Sequence, residues 1–241
     1  MFKIGGISFK NNIWNAPVPC HFEDYKLLNN SSTGAIVFKT VTYHKRLGNP
    51  AGWFLTRTGS YNQIALHNEG ILQTISTILK LKPSKPIFLS IYGSEQELID
   101  MIQLLNQLQI SILLEWNISC PNVPVIHSLK TTLPKMIQIS KHPIGIKINH
   151  TFDVSVLPFL EKHKVAFITA INSIHGQGGL PIHQTALETI KTLKAKTKIP
   201  LIGVGGVYDR KSADAFLNAG AIAVEIGTEY LREGISFFSK I

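Results

Sequence analysis

Eight short apolar runs recur along this chain, with stretches of helical periodicity between them. The runs are Ile13 to Ala16, Ala35 to Lys39, Pro86 to Ile91, Ile112 to Trp116, Ile144 to Ile148, Ala166 to Ala170, Leu201 to Val204 and Ala221 to Ile226. Runs of this length bounded by polar residues read as strands. Among the intervening helices, Glu95 to Leu108 has Ser94 as N-cap and places Leu98, Met101, Ile102 and Leu105 on one face. Lys211 to Asn218 ends at Ala219-Gly220 in the manner of a glycine C-cap. Strands alternating with helices predict an α/β protein, a TIM (β/α)8 barrel whose site lies at the C-terminal ends of the strands. A doubly wound open sheet is the structural alternative. Ahead of the barrel, Phe2 to Ile4 and Ile7 to Phe9 flank Gly5-Gly6 and predict an N-terminal β-hairpin.

The chain has 241 residues, a length that one such barrel fills, so a single domain over 1–241 is expected. With 44% hydrophobic and 16% charged residues it has the composition of a soluble globular protein, and no stretch approaches the roughly 20 apolar residues of a membrane span. Met1 to Gly6 carries no long apolar signal core, so a cytoplasmic protein without a membrane partner is expected. Cys20 and Cys120, the two cysteines, stand 100 positions apart and have no CxxC or cysteine–histidine spacing, which favours neither a disulfide framework nor a metal site. The net charge of +9 is spread over lysines such as Lys80, Lys82 and Lys85, or Lys191, Lys194, Lys196 and Lys198, near helix ends. That distribution describes a solvated surface rather than a nucleic-acid patch.

The chemistry concentrates where the fourth run stops, at Asn117-Ile118-Ser119-Cys120-Pro121-Asn122. A buried cysteine is ordinarily a small hydrophobe, but a strand's C-terminal end is where barrel enzymes assemble their sites. There a thiol can serve as base or nucleophile, and the neighbouring carboxamides can read the edge of a planar polar heterocycle. The seventh and eighth runs end in Gly203-Val204-Gly205-Gly206 and Gly227-Thr228, and Gly176-Gln177-Gly178-Gly179 follows the sixth. Glycines at these ends expose backbone N–H groups to a phosphate. Lys39 and Lys147 end strands in apolar company, which suggests cations facing an anionic ligand in the barrel mouth. Together these features imply a phosphorylated cofactor beside a polar substrate.

From Asn15-Ala16 to Ile226-Gly227-Thr228 the chain resembles the dihydroorotate dehydrogenase family, specifically its class 1 branch of FMN-dependent barrels. The most specific element is Asn117 to Pro124. Collinear matches are Lys39-Thr40, Arg46 to Pro50, Asn62 to Asn68, Lys147, Asn172-Ser173, Gly205-Gly206 and Gly227-Thr228. The resemblance implies oxidation of dihydroorotate to orotate in pyrimidine biosynthesis. Cys120 takes the role of the base that removes the C5 proton, and the hydride leaves C6 for the flavin. A cysteine rather than a serine there points to the soluble class. Implied substrate contacts are Asn62, Ile64, Ala65, Leu66, Asn117, Asn122, Asn172 and Ser173. Implied flavin contacts are Ala16, Lys39, Thr40, Asn117, Lys147, Gly178, Gly205, Gly206, Gly227 and Thr228. A homodimer and an electron-transfer partner subunit are compatible with the resemblance, and the acceptor is open between fumarate, a quinone substitute and such a subunit.

The chain departs from the family pattern in three places. About twenty residues, by a rough collinear count, are missing between Ser173 and Gly176, a deletion that a loop tolerates. Ala16-Pro17-Val18 stands where Ala-Ser-Gly is usual, and Pro17 withholds one N–H from the flavin. Ile64-Ala65-Leu66-His67-Asn68 replaces Met-Gly-Leu-Pro-Asn, and the Ala65 methyl narrows or re-aims the pocket. Two rival readings are a tRNA-dihydrouridine synthase-like FMN enzyme and a degenerate barrel that binds a flavin or a partner without turnover. The carboxamide set argues against the first and Cys120 against the second.

Overall fold

Two glycines at positive φ, Gly5 at +53° and Gly6 at +85°, let the chain reverse within two residues. The predicted hairpin follows, with β1 (Phe2–Ile4) antiparallel to β2 (Ile7–Phe9). The computed structural model describes residues 1–120 and 128–241. In chain order come β3 (Ile13–Asn15), β4 (Ile36–Val41), β5 (Trp53–Leu55), β6 (Gly59–Asn62), β7 (Ile87–Ile91), β8 (Ile112–Asn117), β9 (Ile144–Ile148), β10 (Ile168–Ala170), β11 (Gln177–Gly179), β12 (Leu201–Val204) and β13 (Ala223–Ile226). Eight of them form one parallel sheet in the order β3-β13-β12-β10-β9-β8-β7-β4. Every residue of β7, β8 and β9 is buried, as strands covered on both faces require.

The ladder runs from β3 the long way round to β4, and a side chain bridges the remaining gap. Buried Asn15 donates from Nδ2 to the Val37 carbonyl (2.7 Å) and accepts from the Val37 N–H at Oδ1 (3.0 Å). A carboxamide thus stands in for a peptide unit between the first and second barrel strands, and the open-sheet alternative is excluded. Helices α1 (Phe22–Asn30), α2 (Ile71–Leu81), α3 (Glu95–Leu105), α4 (Leu129–Ile139), α5 (Leu157–Lys162), α6 (His183–Lys194), α7 (Arg210–Asn218) and α8 (Thr228–Glu233) connect the strands. The predicted cap of α3 is a full capping box, with Glu97 N–H donating to Ser94 Oγ and Ser94 N–H to Glu97 Oε2. Past α7, Gly220 takes the positive φ, +109°, that a helix stop favours. Among the described residues no helix is long and apolar enough to cross a membrane.

Several boundaries differ from the sequence reading. The first strand stops at Asn15, the sixth starts at Ile168 and the eighth at Ala223, while α3 ends at Leu105 instead of Leu108. The antiparallel sheet β5-β6-β11 and the helix α1 carry no clear periodicity in the sequence and were not foreseen.

Two layers fill the barrel. At the bottom Ile4 and Phe9 of the hairpin close on Trp14, Phe88, Leu113, Phe167 and Ile202 in one apolar cluster. Phe88 pairs in register with Leu113, and two residues onward Ser90 pairs with Glu115. Side chains two apart on a strand share a face, so Ser90 and Glu115 also point inward, one layer higher. Register likewise places Asn117 and Thr169 on either side of Lys147. The interior therefore changes from apolar to polar toward the C-terminal ends of the strands.

Candidate active site

The polar layer opens into two adjoining cavities. The first is a cleft open to solvent on one side. Ala16, Gly178, Gly205, Gly206, Gly227 and Thr228 all line it, so the predicted glycine loops converge. Lys39, Thr40, Asn62, Ile64, Leu66, Asn117 and Cys120 line the second. Pro17, Asn62, Lys147, Asn172 and Ser173 face both cavities, which makes them one continuous site. Ala65 is not among the lining residues of either. Asn122 lies outside the described residues.

Side-chain bonds fix the carboxamides. Asn117 at the end of β8 donates to Thr40 Oγ1 (3.2 Å), and Thr40 donates to Ser90 Oγ (3.0 Å). Asn172 Nδ2 donates to Asn117 Oδ1 (3.3 Å) and to Ser119 Oγ (3.2 Å). Asn62 comes from the antiparallel sheet, where its N–H donates to the Gly176 carbonyl (2.8 Å). The shortened segment after Ser173 is a two-residue turn. His175 (φ +48°) and Gly176 (φ +84°) sit between Ile174 and Gln177, which exchange backbone bonds of 3.0 and 2.8 Å. That turn carries the chain into β11, so the deletion leaves the support of Asn62 in place.

The two cysteines differ sharply. Cys120 is half-buried in the site. Cys20 lies in a separate cavity beside Tyr230, and burial pushes its thiol up to about 12, which keeps it protonated and inert. Half-buried Lys39 interacts electrostatically with Cys120, and desolvation lowers its ammonium to about 8. Lys147 is 4% exposed and faces Glu225 at 3.5 Å. Glu225 lines the first cavity but was not anticipated. The signal that picked out Lys147, a charge inside an apolar strand, is equally present in Ala223-Val224-Glu225-Ile226. Trp53 and Ser60, from the unforeseen sheet, also line that cavity, and Ser60 Oγ lies 2.9 Å from Thr228 Oγ1.

The substitution at Pro17 has a visible consequence. The Ala16 N–H donates to the Ile226 carbonyl (2.8 Å) and the Val18 N–H turns back to the Ala16 carbonyl (2.7 Å). With proline between them, this segment has no free backbone donor for a ligand.

The family model for dihydroorotate dehydrogenase matches residues 1–175 and 159–241. The chain belongs to the dihydroorotate dehydrogenase family. Dihydroorotate dehydrogenase (fumarate) of Saccharomyces cerevisiae is 30% identical over 254 residues, covering 89% of this chain and 81% of the relative. Probable dihydroorotate dehydrogenase A (fumarate) of Streptococcus pneumoniae is 29% identical over 278 residues, covering 99% of this chain and 89% of the relative. That alignment is longer than the chain, so internal segments of the relative have no counterpart here, in keeping with the short turn at His175-Gly176. A crystal structure of DHODH from Eimeria tenella in complex with ferulenol superposes with a TM-score of 0.83 at 15% identity, covering 99% of this chain and 81% of that one, which establishes the barrel fold.

Dihydroorotate dehydrogenases are flavin-dependent oxidoreductases, and the site residues suit a flavin mononucleotide. A Cβ on Gly178 would lie 2.8 Å from Ser60 Oγ, and one on Gly206 would lie 2.8 Å from the Gly179 carbonyl, so the loops come together only as glycine. Ser173 lines both cavities, and its Oγ, shielded from solvent, has no hydrogen-bond partner among the described residues.

Proposed function

We propose that this dihydroorotate dehydrogenase family member oxidises dihydroorotate to orotate, in pyrimidine biosynthesis, with FMN held in the glycine-lined cavity. The observation that carries this reading is one cavity in which Cys120 meets three carboxamides and two lysines. Asn62, Asn117 and Asn172 would hydrogen-bond the edges of the pyrimidine ring, and a ring lacking those groups would leave buried amides unpaired. Asn122 is the fourth carboxamide of this proposal. Cys120 Sγ takes the C5 proton as a thiolate, with the Lys39 ammonium favouring its charged form. Bound FMN supplies the acceptor for the hydride that leaves C6. Lys147 holds a positive charge at the cavity floor, facing any negative charge that develops above it. Gly178, Gly205, Gly206, Gly227 and Thr228 would receive the phosphate. The curated relatives named above carry fumarate in their names, and fumarate is the proposed electron acceptor, with the cytoplasm as the proposed location.

Anaerobic mixing of the yellow protein with dihydroorotate tests the proposal. The flavin absorbance should bleach and fumarate should restore it. Protein that is colourless and takes up no added FMN would refute the cofactor reading. Protein with bound FMN whose spectrum dihydroorotate leaves unchanged would refute the substrate.

A further inference from the structure

The seventh barrel strand, β12, leads into α7 through a loop whose backbone donors fall into two groups. The Tyr208 and Asp209 N–H groups both donate to Ser212 Oγ (2.9 Å each), and the Ser212 N–H donates to Asp209 Oδ1 (2.7 Å). The N–H groups just before them, of Gly205, Gly206 and Val207, donate to no acceptor among the described residues. Gly206 and Val207 are buried, and all three residues line the first cavity. Buried N–H groups are rarely left without a partner, and successive ones form a concave nest that suits an anion.

Two consecutive glycines do not by themselves keep such a nest facing a ligand. Gly205 (φ +111°) and Gly206 (φ +81°) hold conformations that glycine adopts freely, and the same freedom lets the peptide after Gly206 turn over. Turned over, the Gly206 carbonyl would take the place of the Val207 N–H and repel an anion. A side chain from the neighbouring unit opposes this. His183, the first residue of α6, has Nδ1 2.7 Å from the Gly206 carbonyl oxygen. A carbonyl only accepts, so Nδ1 carries the proton and donates. Tyr208 and Phe216 meet the imidazole in T-shaped contacts, at 5.4 and 5.6 Å between centroids, and fix its orientation. The His183 backbone presses on the same glycine, where an added Cβ would lie 2.7 Å from His183 Cα. His183 is not among the residues lining either cavity, so its bond draws the Gly206 carbonyl out of the cavity wall. Because the peptide is planar and trans, the Val207 N–H points the opposite way.

We propose that His183 is a positioning residue for phosphate binding: by tethering the Gly206 carbonyl it keeps the Val207 N–H, and with it the nest of three donors, turned toward the first cavity. The identity of the anion as the phosphate of FMN rests on the flavin reading given above, while the tether does not. Riboflavin, which has the same ring system and no phosphate, separates the two.

Nitrogen NMR of the flavin-free protein reads the tether directly. His183, assigned by its loss in either variant below, should carry its proton on Nδ1, and a proton on Nε2 alone overturns the tether. Fluorescence titration of the flavin-stripped full chain then compares FMN with riboflavin. His183→Phe keeps a ring between Tyr208 and Phe216 but has no donor, so it should bind FMN roughly 2- to 10-fold more weakly than the wild type, the worth of one neutral hydrogen bond, with riboflavin affinity unchanged. His183→Asn, whose amide nitrogen stands where Nδ1 does, should recover most of the FMN affinity. Unchanged FMN affinity in His183→Phe, equal losses for both flavins, or an asparagine variant no better than the phenylalanine one overturns the positioning role. If His183→Phe fails to fold, His183→Asn still decides, since an FMN affinity lowered as much as that for riboflavin overturns the role. A wild type that binds FMN no more tightly than riboflavin overturns the phosphate site. A wild type that binds neither refutes the functional reading, whereas the histidine spectrum decides the tether in every case.

Discussion

Replacing Lys147 by methionine probes the barrel interior most severely. Methionine keeps much of the side-chain volume and removes the only ammonium within ion-pair distance of Glu225 among the described residues. Breaking a buried pair from one side typically costs about 3 to 5 kcal/mol. The ammonium pulls the buried Glu225 carboxyl down, so without it the folded-state value rises above the wild-type value of about 8. The sign follows from a raised folded-state pKa: stability is intact below the unfolded value and is lost as pH rises through the folded one, so the variant's deficit should hold steady up to about pH 8 and grow above it. Urea unfolding followed by fluorescence of the buried Trp14 and Trp116 measures it. The double variant Lys147→Met/Glu225→Gln has no carboxyl at position 225 to titrate, so it should show no further loss of that kind above about pH 8. A pH-independent deficit in the single variant, or a double variant with the same slope as the single one, would refute the reasoning.

Other outcomes follow from the site. Cys120→Ser should lose most flavin reduction by dihydroorotate near neutral pH while still binding orotate, because serine is a far weaker base; stopped-flow absorbance and equilibrium titration measure the two, and equal reduction rates would remove Cys120 from the chemistry. Lys39 is charged below about 8 and neutral above it, so affinity for the orotate anion should decline as pH rises through that value, and Lys39→Gln should show no such step in calorimetric titration. At Gly179, φ is +80° and an added Cβ would lie 2.7 Å from Gly59 Cα. Gly179→Ala should therefore cost about 1 to 3 kcal/mol and release FMN on dilution, which absorbance of the filtrate would detect.

The barrel was legible because its strands are buried on both faces, and continuous apolar runs such as Ile144–Ile148 mark that environment directly. Cys120 and the glycine loops could be read because a thiol and paired glycines at strand ends have few other uses. The sheet β5-β6-β11 escaped because its strands are three or four residues long, two of them contain glycine, and the pairing of β11 with β6 joins segments more than a hundred residues apart. With it went Ser60 and Trp53. Glu225 escaped for a different reason: a carboxylate in a strand signals burial with a partner, and the partner, Lys147, is distant in sequence. The lost N–H at Pro17 was predictable from the residue alone, whereas the occupation of the Val18 N–H by the Ala16 carbonyl required the turn itself.

Asn15 gives the barrel a seam. Seven of the junctions between neighbouring barrel strands are backbone ladders, distributed over several peptide groups, whereas β3 and β4 are joined through one carboxamide and its two bonds to Val37, with a single backbone bond, Gly34 N–H to the Ile13 carbonyl (3.1 Å), at the foot of the gap. Mechanically the molecule is a rolled ribbon held by a rivet. Fluctuations that widen the mouth without unfolding the protein concentrate along that line, and the exchange of the Val37 amide with deuterated solvent reports how often the rivet lets go.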